Sequence, residues 1–194
     1  PSGLSRVTQK DKSYEDTDFD EVSDLITETV SINYKSITIQ NDILQSQRTI
    51  SSPVGRTVTI NYDADNLLTN SISIPNLFDT EYGYDNRGRL TSILTNARQI
   101  RFTYDNEGNI ETITDPRGST TTYGYDSVGR LTAAYRPDFS NIFFSYDGNG
   151  NMTVLTNPSD VSHGFGFNGV NLTKSYQTPI SGSYSYLYDA DRRL

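Results

Sequence analysis

Short alternating runs dominate the chain. In Thr121-Thr122-Tyr123-Gly124-Tyr125 every second side chain from Thr121 onward points the same way, and both tyrosines fall on one face. That two-residue period predicts a strand whose two faces differ. Nowhere do apolar residues recur at three and four over ten or more positions without a Gly or Pro breaking in, so no helix is expected. One spacing departs from simple alternation. Leu90 and Ile93, like Ile110 and Ile113, are three apart rather than two. A β-bulge or a change of buried face is expected there.

The runs belong to a repeat of about 21 residues. Tyr-Asp stands at 62, 84, 104, 125, 146 and 188, with Phe167-Asn168 filling the gap in the series. Four positions beyond the tyrosine come Asn66, Gly88, Gly108, Gly129 and Gly150; two further on come Leu68, Leu90, Ile110, Leu131 and Met152. Another aromatic precedes the tyrosine by two positions in Tyr82, Phe102, Tyr123, Phe144, Phe165 and Tyr186. Prolines 53, 75, 116, 137, 158 and 179 all lie nine positions before it. Toward the N-terminus the pattern decays. Phe19-Asp20 with Ser23 and Leu25 keeps the phase, Asn41-Asp42 barely does, and residues 1–18 do not.

Each copy reads as a β-hairpin. In Asp126-Ser127-Val128-Gly129 the aspartate can accept backbone N–H bonds and the glycine can take a positive φ, which predicts a type I turn closed by a left-handed residue. Hairpin turns are expected at 63–66, 85–88, 105–108, 126–129 and 147–150, with Asn66 as the left-handed residue of the first. Asp115-Pro116-Arg117-Gly118 then links one hairpin to the next, at a place where proline costs no ladder bond. The fold class expected is all-β: repeated antiparallel hairpins in a continuous, curved or spiralling sheet. Its parts are an N-terminal arm or eroded repeat (1–18), degenerate repeats (19–52) and a regular hairpin array (53–194).

Composition narrows the function. Apolar residues make up 34% of the chain, yet it holds 14 Tyr and 8 Phe. The packed material must therefore be largely aromatic, which suits sheets. A formal charge of -8 repels phosphate backbones and anionic lipid headgroups, so neither nucleic acid nor membrane insertion is expected. With no cysteine there is no disulfide framework and no thiolate chemistry. The start, Pro1-Ser2-Gly3, carries no signal-peptide pattern, and the last residues break off within a repeat; the chain reads as a piece of a longer one.

The run Tyr84-Asp85-Asn86-Arg87-Gly88-Arg89-Leu90-Thr91, with Asp115-Pro116-Arg117-Gly118 between hairpins, resembles the Rhs or YD-repeat family. Relatives include bacterial Rhs toxins, the B and C subunits of insecticidal Tc toxins, wall-associated proteins and the shell of animal teneurins. The resemblance implies a β-strip that spirals into a hollow shell, enclosing a toxic segment in the toxins and supporting cell-surface adhesion in teneurins. It also implies a secreted or cell-surface location. The self-cleaving core segment of Rhs shells has no counterpart, because the one Asp-Pro-x-Gly here runs into Ser119-Thr120 inside an ordinary repeat. No cleavage residue carries over.

Candidate chemistry is sparse. A Ser-His-Asp arrangement would need His163, the single histidine, with Ser162 and Asp160 close in sequence; the alternative is a surface or packing residue. Asp147-Gly148-Asn149-Gly150-Asn151 has the alternating oxygens of a calcium loop, but Pro158 stands where an EF-hand has its bidentate glutamate, and ordinary turn chemistry accounts for the segment. Asn151-Met152-Thr153 and Asn171-Leu172-Thr173 fit the glycosylation pattern and lie in repeat turns. Rows of tyrosine could stack on sugars or on one another. No catalytic, cofactor-binding or metal residue is assigned, and no enzyme activity or cofactor is expected. The leading expectation is a non-catalytic segment of an extracellular shell or scaffold. Its partners would be further repeats of the same or neighbouring chains, or an enclosed toxin or cargo. The alternative is an adhesion or carbohydrate-binding module that takes surface glycans.

Overall fold

The computed structural model describes residues 8–18, 20, 22–32 and 35–194; Phe19, which carries the N-terminal Tyr-Asp-like match, lies outside them. The described residues contain seventeen strands and no helix. They form two units, Pro1–Ile100 and Arg101–Leu194.

The first unit holds β1 (Thr8–Glu15), β2 (Leu25–Ile32), β3 (Lys35–Asp42), β4 (Gln47–Ser51), β5 (Thr57–Tyr62), β6 (Thr69–Ser73), β7 (Thr80–Tyr84) and β8 (Leu90–Thr95). Each strand pairs antiparallel with the next in sequence. Asn96 and Ala97 then turn the chain into β9 (Arg98–Tyr104), which runs on into the second unit. That unit continues with β10 (Ile110–Thr114), β11 (Thr120–Tyr125), β12 (Leu131–Tyr135), β13 (Ile142–Tyr146), β14 (Met152–Thr156), β15 (Ser162–Phe167), β16 (Thr173–Thr178) and β17 (Gly182–Ser185). Here too consecutive strands pair antiparallel, from β9–β10 through β16–β17.

The expected bulge is present in every regular copy. Tyr84 pairs with Leu90 but Gly83 with Ser92, which leaves Thr91 unpaired. Because of that extra residue Leu90 faces Tyr84 while Ile93 faces Tyr82, so side chains three apart share one face. The same shift occurs at Ile110/Thr112, Gly124/Tyr125, Ser145/Tyr146 and Gly166/Phe167.

Register sorts the side chains, since residues directly opposite lie on the same face. One face is aromatic and aliphatic: Tyr123 opposes Ala134, Tyr125 opposes Leu131, Phe144 opposes Leu155, and Phe165 opposes Tyr176. The other is mixed: it carries Phe143 against Tyr135, and Val154, among small and polar side chains. On it Thr103 meets Thr112 at 2.7 Å, Thr156 meets Ser162 at 2.8 Å, and the Gln47 amide donates to Asn61, whose own amide donates to Ser71 at 2.9 Å. Among the described residues no second layer covers either face within a unit. Consequently only Ala133 and Ala134 are buried apolar residues among those described. Stability rests on cross-strand pairs, each contributing about 0.2–1 kcal/mol, and on the turns.

One turn differs from its expected form. In the first copy the left-handed residue is Leu67 (φ 60°), not Asn66. The Asn66 carboxamide oxygen instead accepts the Leu68 N–H at 2.9 Å, and the Leu67 N–H donates to the Asp63 carbonyl at 2.9 Å. This turn is one residue wider, and Tyr62 accordingly pairs with Thr69 rather than Leu68. Between hairpins, Phe139 also takes a left-handed backbone (φ 61°) while its side chain is 86% exposed. A side chain at that φ costs free energy and here buries almost nothing. Phe139→Gly should therefore stabilise the second unit by about 1 kcal/mol, seen as a higher urea midpoint; a lower midpoint would show that the ring is held by contacts.

Candidate functional site

The feature that repeats is the Tyr-Asp turn. At Asp126, one carboxylate oxygen accepts the backbone N–H of Val128 at 3.0 Å and of Arg130 at 2.9 Å, and the other accepts the Arg130 Nε at 2.7 Å. The Gly129 N–H closes the turn on the Asp126 carbonyl at 3.0 Å, with Gly129 at φ 81°. Asp85 with Arg89, Asp105 with Asn109, and Asp147 with Asn151 repeat the scheme. Asn168 caps Val170 and Leu172 in the same way, with Asn171 left-handed in the glycine's place. In the four aspartate copies the carboxylate supplies two acceptor oxygens and the residue four further on a side-chain donor, whereas Asn168 and Leu172 keep only the backbone bonds.

These bonds favour the ionised carboxylates. The Arg89 and Arg130 backbone N–H groups chiefly hold Asp85 and Asp126 below the ordinary carboxylate range, while the Asn109 and Asn151 side-chain amides do most for Asp105 and Asp147. A carboxyl lowered in the folded state stabilises that state above its unfolded value, about 3.9. The contribution is lost as pH falls through the lower folded value. The urea midpoint should therefore stay level from pH 7 to about 5 and drop below about 4; a midpoint that rises on acidification would contradict the role of these turns.

The tyrosine carries a second bond. The Tyr125 hydroxyl donates to the Ile110 carbonyl at 2.9 Å, Tyr146 to Leu131 at 2.8 Å, Tyr84 to Thr69 at 3.0 Å and Tyr188 to Thr173 at 2.9 Å, always fifteen positions back. Each acceptor belongs to the residue opposite the preceding copy's aromatic, beside the bulge. The tyrosine thus latches its hairpin to the one before, at a carbonyl set beside the disrupted ladder. Burial raises the Tyr84 and Tyr125 hydroxyls, which keeps them protonated donors. Arg130 adds a link forward: its guanidinium donates to the Asp147 carbonyl at 2.9 Å and lies 4.8 Å from the Tyr146 ring centre. Where Phe167 replaces the tyrosine, the Asn149 and Asn151 amides donate to the Asn171 carboxamide at 3.3 and 2.9 Å, joining successive turns by side chains instead.

The other candidates resolve as follows. Ser162 and His163 are neighbours on β15, and Ser162 opposes Thr156 while His163 opposes Leu155, so they point to opposite faces and form no triad. The His163 Nδ1 lies 2.7 Å from the Tyr176 hydroxyl, and the two rings stack with centres 6.0 Å apart. Asp160 is a left-handed turn residue. Both Asp147 oxygens accept bonds from the chain's own N–H groups, as at Asp126. Asn151 and Asn171, the glycosylation-pattern residues, join their turns to each other. Among the described residues one further acidic group gathers, Asp16, Asp18 and Asp24. Asp24 is 4% exposed and accepts the Thr17 backbone N–H at 2.8 Å and the Thr17 hydroxyl at 2.9 Å, which folds the β1–β2 connection. Open grooves lie between successive turns, such as one of about 710 Å³ between Asp63 and Gly88 lined by Tyr82, Tyr84 and Arg87.

Comparison with known proteins fits this geometry. In solved structures the chain resembles the pore form of the Photorhabdus luminescens Tc holotoxin (12% identity, TM-score 0.56), with 95% of this chain matched to 11% of that one. It also resembles the TcdB2-TccC3-TEV structure (14% identity, TM-score 0.54, 93% of this chain and 11% of that) and the TcdB2-TccC3-Cdc42 structure (13% identity, TM-score 0.51, 87% and 12%). The chain therefore spans about a ninth of the length of these structures, and at such identities the likeness is one of fold. Comparison with curated protein sequences gives no match. The model of the teneurin YD-shell family matches residues 6–194. With nearly the whole chain matched and its tyrosine-aspartate turns in place, this protein belongs to the teneurin YD-shell family.

Proposed function

We propose that the chain is a wall segment of an extracellular shell, with a structural and non-catalytic role, and that its repeats join further repeats to enclose a toxin or other cargo. The observation that carries this reading is the latch. At Tyr84, Tyr125, Tyr146 and Tyr188 the hairpin is bonded to its predecessor through the tyrosine hydroxyl as well as through the strand ladder, so the unit can be added repeatedly with the same joint. The regular turn carboxylates are committed to bonds within their own turns, which leaves them no catalytic task. Fractionation of cells that produce the native protein, followed by limited proteolysis, tests the proposal. Expected are recovery outside the cell and a protected segment that becomes cleavable at the denaturant concentration that melts the repeats. Recovery inside the cell, or cleavage of every other segment at the same rate with and without denaturant, would contradict it.

A further inference from the structure

Each of the six link turns that carry a proline holds one residue in a left-handed backbone. In five of them it is a glycine or a short polar residue: Gly55, Asn76, Gly118, Asp160 and Ser181. The sixth is Phe139, at φ 61° and 86% exposed. Backbone strain that brings no burial within the chain sets a large aromatic where only a partner can cover it, and such outliers gather at functional surfaces. Arg136, on the same tip, is exposed as well. The Asp138 carboxylate between them is taken up by the Ser140 N–H at 3.1 Å and the Ser140 hydroxyl at 2.5 Å. The tip therefore offers a ring and a guanidinium, and aromatic rings and arginine are enriched where proteins meet.

The opposite margin of the same unit carries a matching socket. Between the turns at Asp105 and Asp126 lies an open groove of about 790 Å³, and pockets of about 300–1,000 Å³ are large enough to take a ligand group. Tyr123 and Val128 give it an apolar wall, and Val128 is 72% exposed. Asp105, Glu107, Glu111 and Asp126 make it negative, and no cationic side chain lines it. An aromatic ring beside a guanidinium suits both parts of that lining. Tip and groove lie at opposite ends of β12, so a chain cannot seat its own tip in its own groove. Successive link turns stand two strands apart, about 10 Å, and so do successive Tyr-Asp turns. The two margins thus share one period, and strips joined along them stay a single layer thick.

We infer that the Phe139 tip docks in the groove between the Asp105 and Asp126 turns of a second copy of this chain, margin to margin, with Arg136 toward the groove's carboxylates. The inference rests on the wall reading above, in which stretches of repeat meet one another. The contact joins unlike patches, so copies add head to tail. Photo-crosslinking tests it. Phe139→p-benzoylphenylalanine keeps an aromatic at the tip and captures even a weak contact. Irradiated in a mixture of isotopically light and heavy chains, it should give mixed-isotope cross-links that map by mass spectrometry to residues 105–111 or 123–129. Val128→Asp and Glu107→Lys, both at exposed turn positions, should each lower the yield about tenfold, by adding repulsion for the ring or for Arg136. Circular dichroism checks that both variants keep their strands. Cross-links within one chain only, mixed cross-links that map elsewhere, or none at all would overturn the inference. So would co-sedimentation of the unaltered chain with phosphatidylcholine vesicles that Phe139→Gly abolishes, which would assign the tip to a lipid surface. None of these results bears on the wall reading, which stands or falls on recovery outside the cell and on the protected segment.

Discussion

Replacing Tyr125 by alanine should destabilise the second unit by about 3–4 kcal/mol, as expected for a half-buried aromatic whose loss also opens a cavity. Tyr125→Phe separates the two parts of that effect. It keeps the ring against Leu131 and removes only the bond to the Ile110 carbonyl, which should cost about 1 kcal/mol. The natural phenylalanine at 167 supplies the reverse case. Fifteen positions before it lies Met152, opposite Tyr146 and beside the bulge, so Phe167→Tyr should gain a bond of about the same worth. Urea midpoints of the three variants check the series. Equal midpoints for Tyr125→Phe and the unaltered chain would mean that the hydroxyl is not a latch.

Gly129→Val should cost about 1–3 kcal/mol, the strain of a branched side chain forced to a left-handed backbone. Steric room is not the obstacle, because the nearest side-chain atom to an added Cβ, on Asn109, would be 3.6 Å away. The strain comes from φ 81°. Gly148 is the control: it lies in the next copy's turn, has no positive φ, and an added Cβ meets nothing within 4 Å. Gly148→Ala should leave the midpoint within a few tenths of a kcal/mol. If the two substitutions acted alike, the turn would not be held in the form described.

Much of this architecture was legible because the repeat states its constraints more than once. Glycine stands at positive φ four positions after Tyr84, Tyr104, Tyr125 and Tyr146, and the three-residue spacing of Leu90 and Ile93 marks the bulge. The first copy misled because Asn66 can serve a turn in two ways, through its backbone or through its carboxamide. Only the structure shows the second in use. The left-handed Leu67 and Phe139 were not legible at all, since neither residue type favours that conformation. The latch leaves a signal in the sequence. Between 53 and 194 the position before the aspartate keeps its hydroxyl in every copy except that of Phe167, whereas the position two earlier is Tyr, Phe or, at 60, Ile. Packing alone needs the ring, so a constant hydroxyl implies a constant acceptor. The acceptor itself, a backbone carbonyl fifteen positions back, depends on the register between hairpins, and no side chain marks it.

Nuclear Overhauser spectroscopy of the chain labelled in its tyrosine rings tests the joint between hairpins most directly. The account predicts contacts from the Tyr125 ring to the backbone of Ile110 and from the Tyr146 ring to that of Leu131, together with slow exchange of both hydroxyl protons. Tyrosine rings that meet only residues of their own hairpin would contradict it, because the repeats would then be joined by their strand ladders alone.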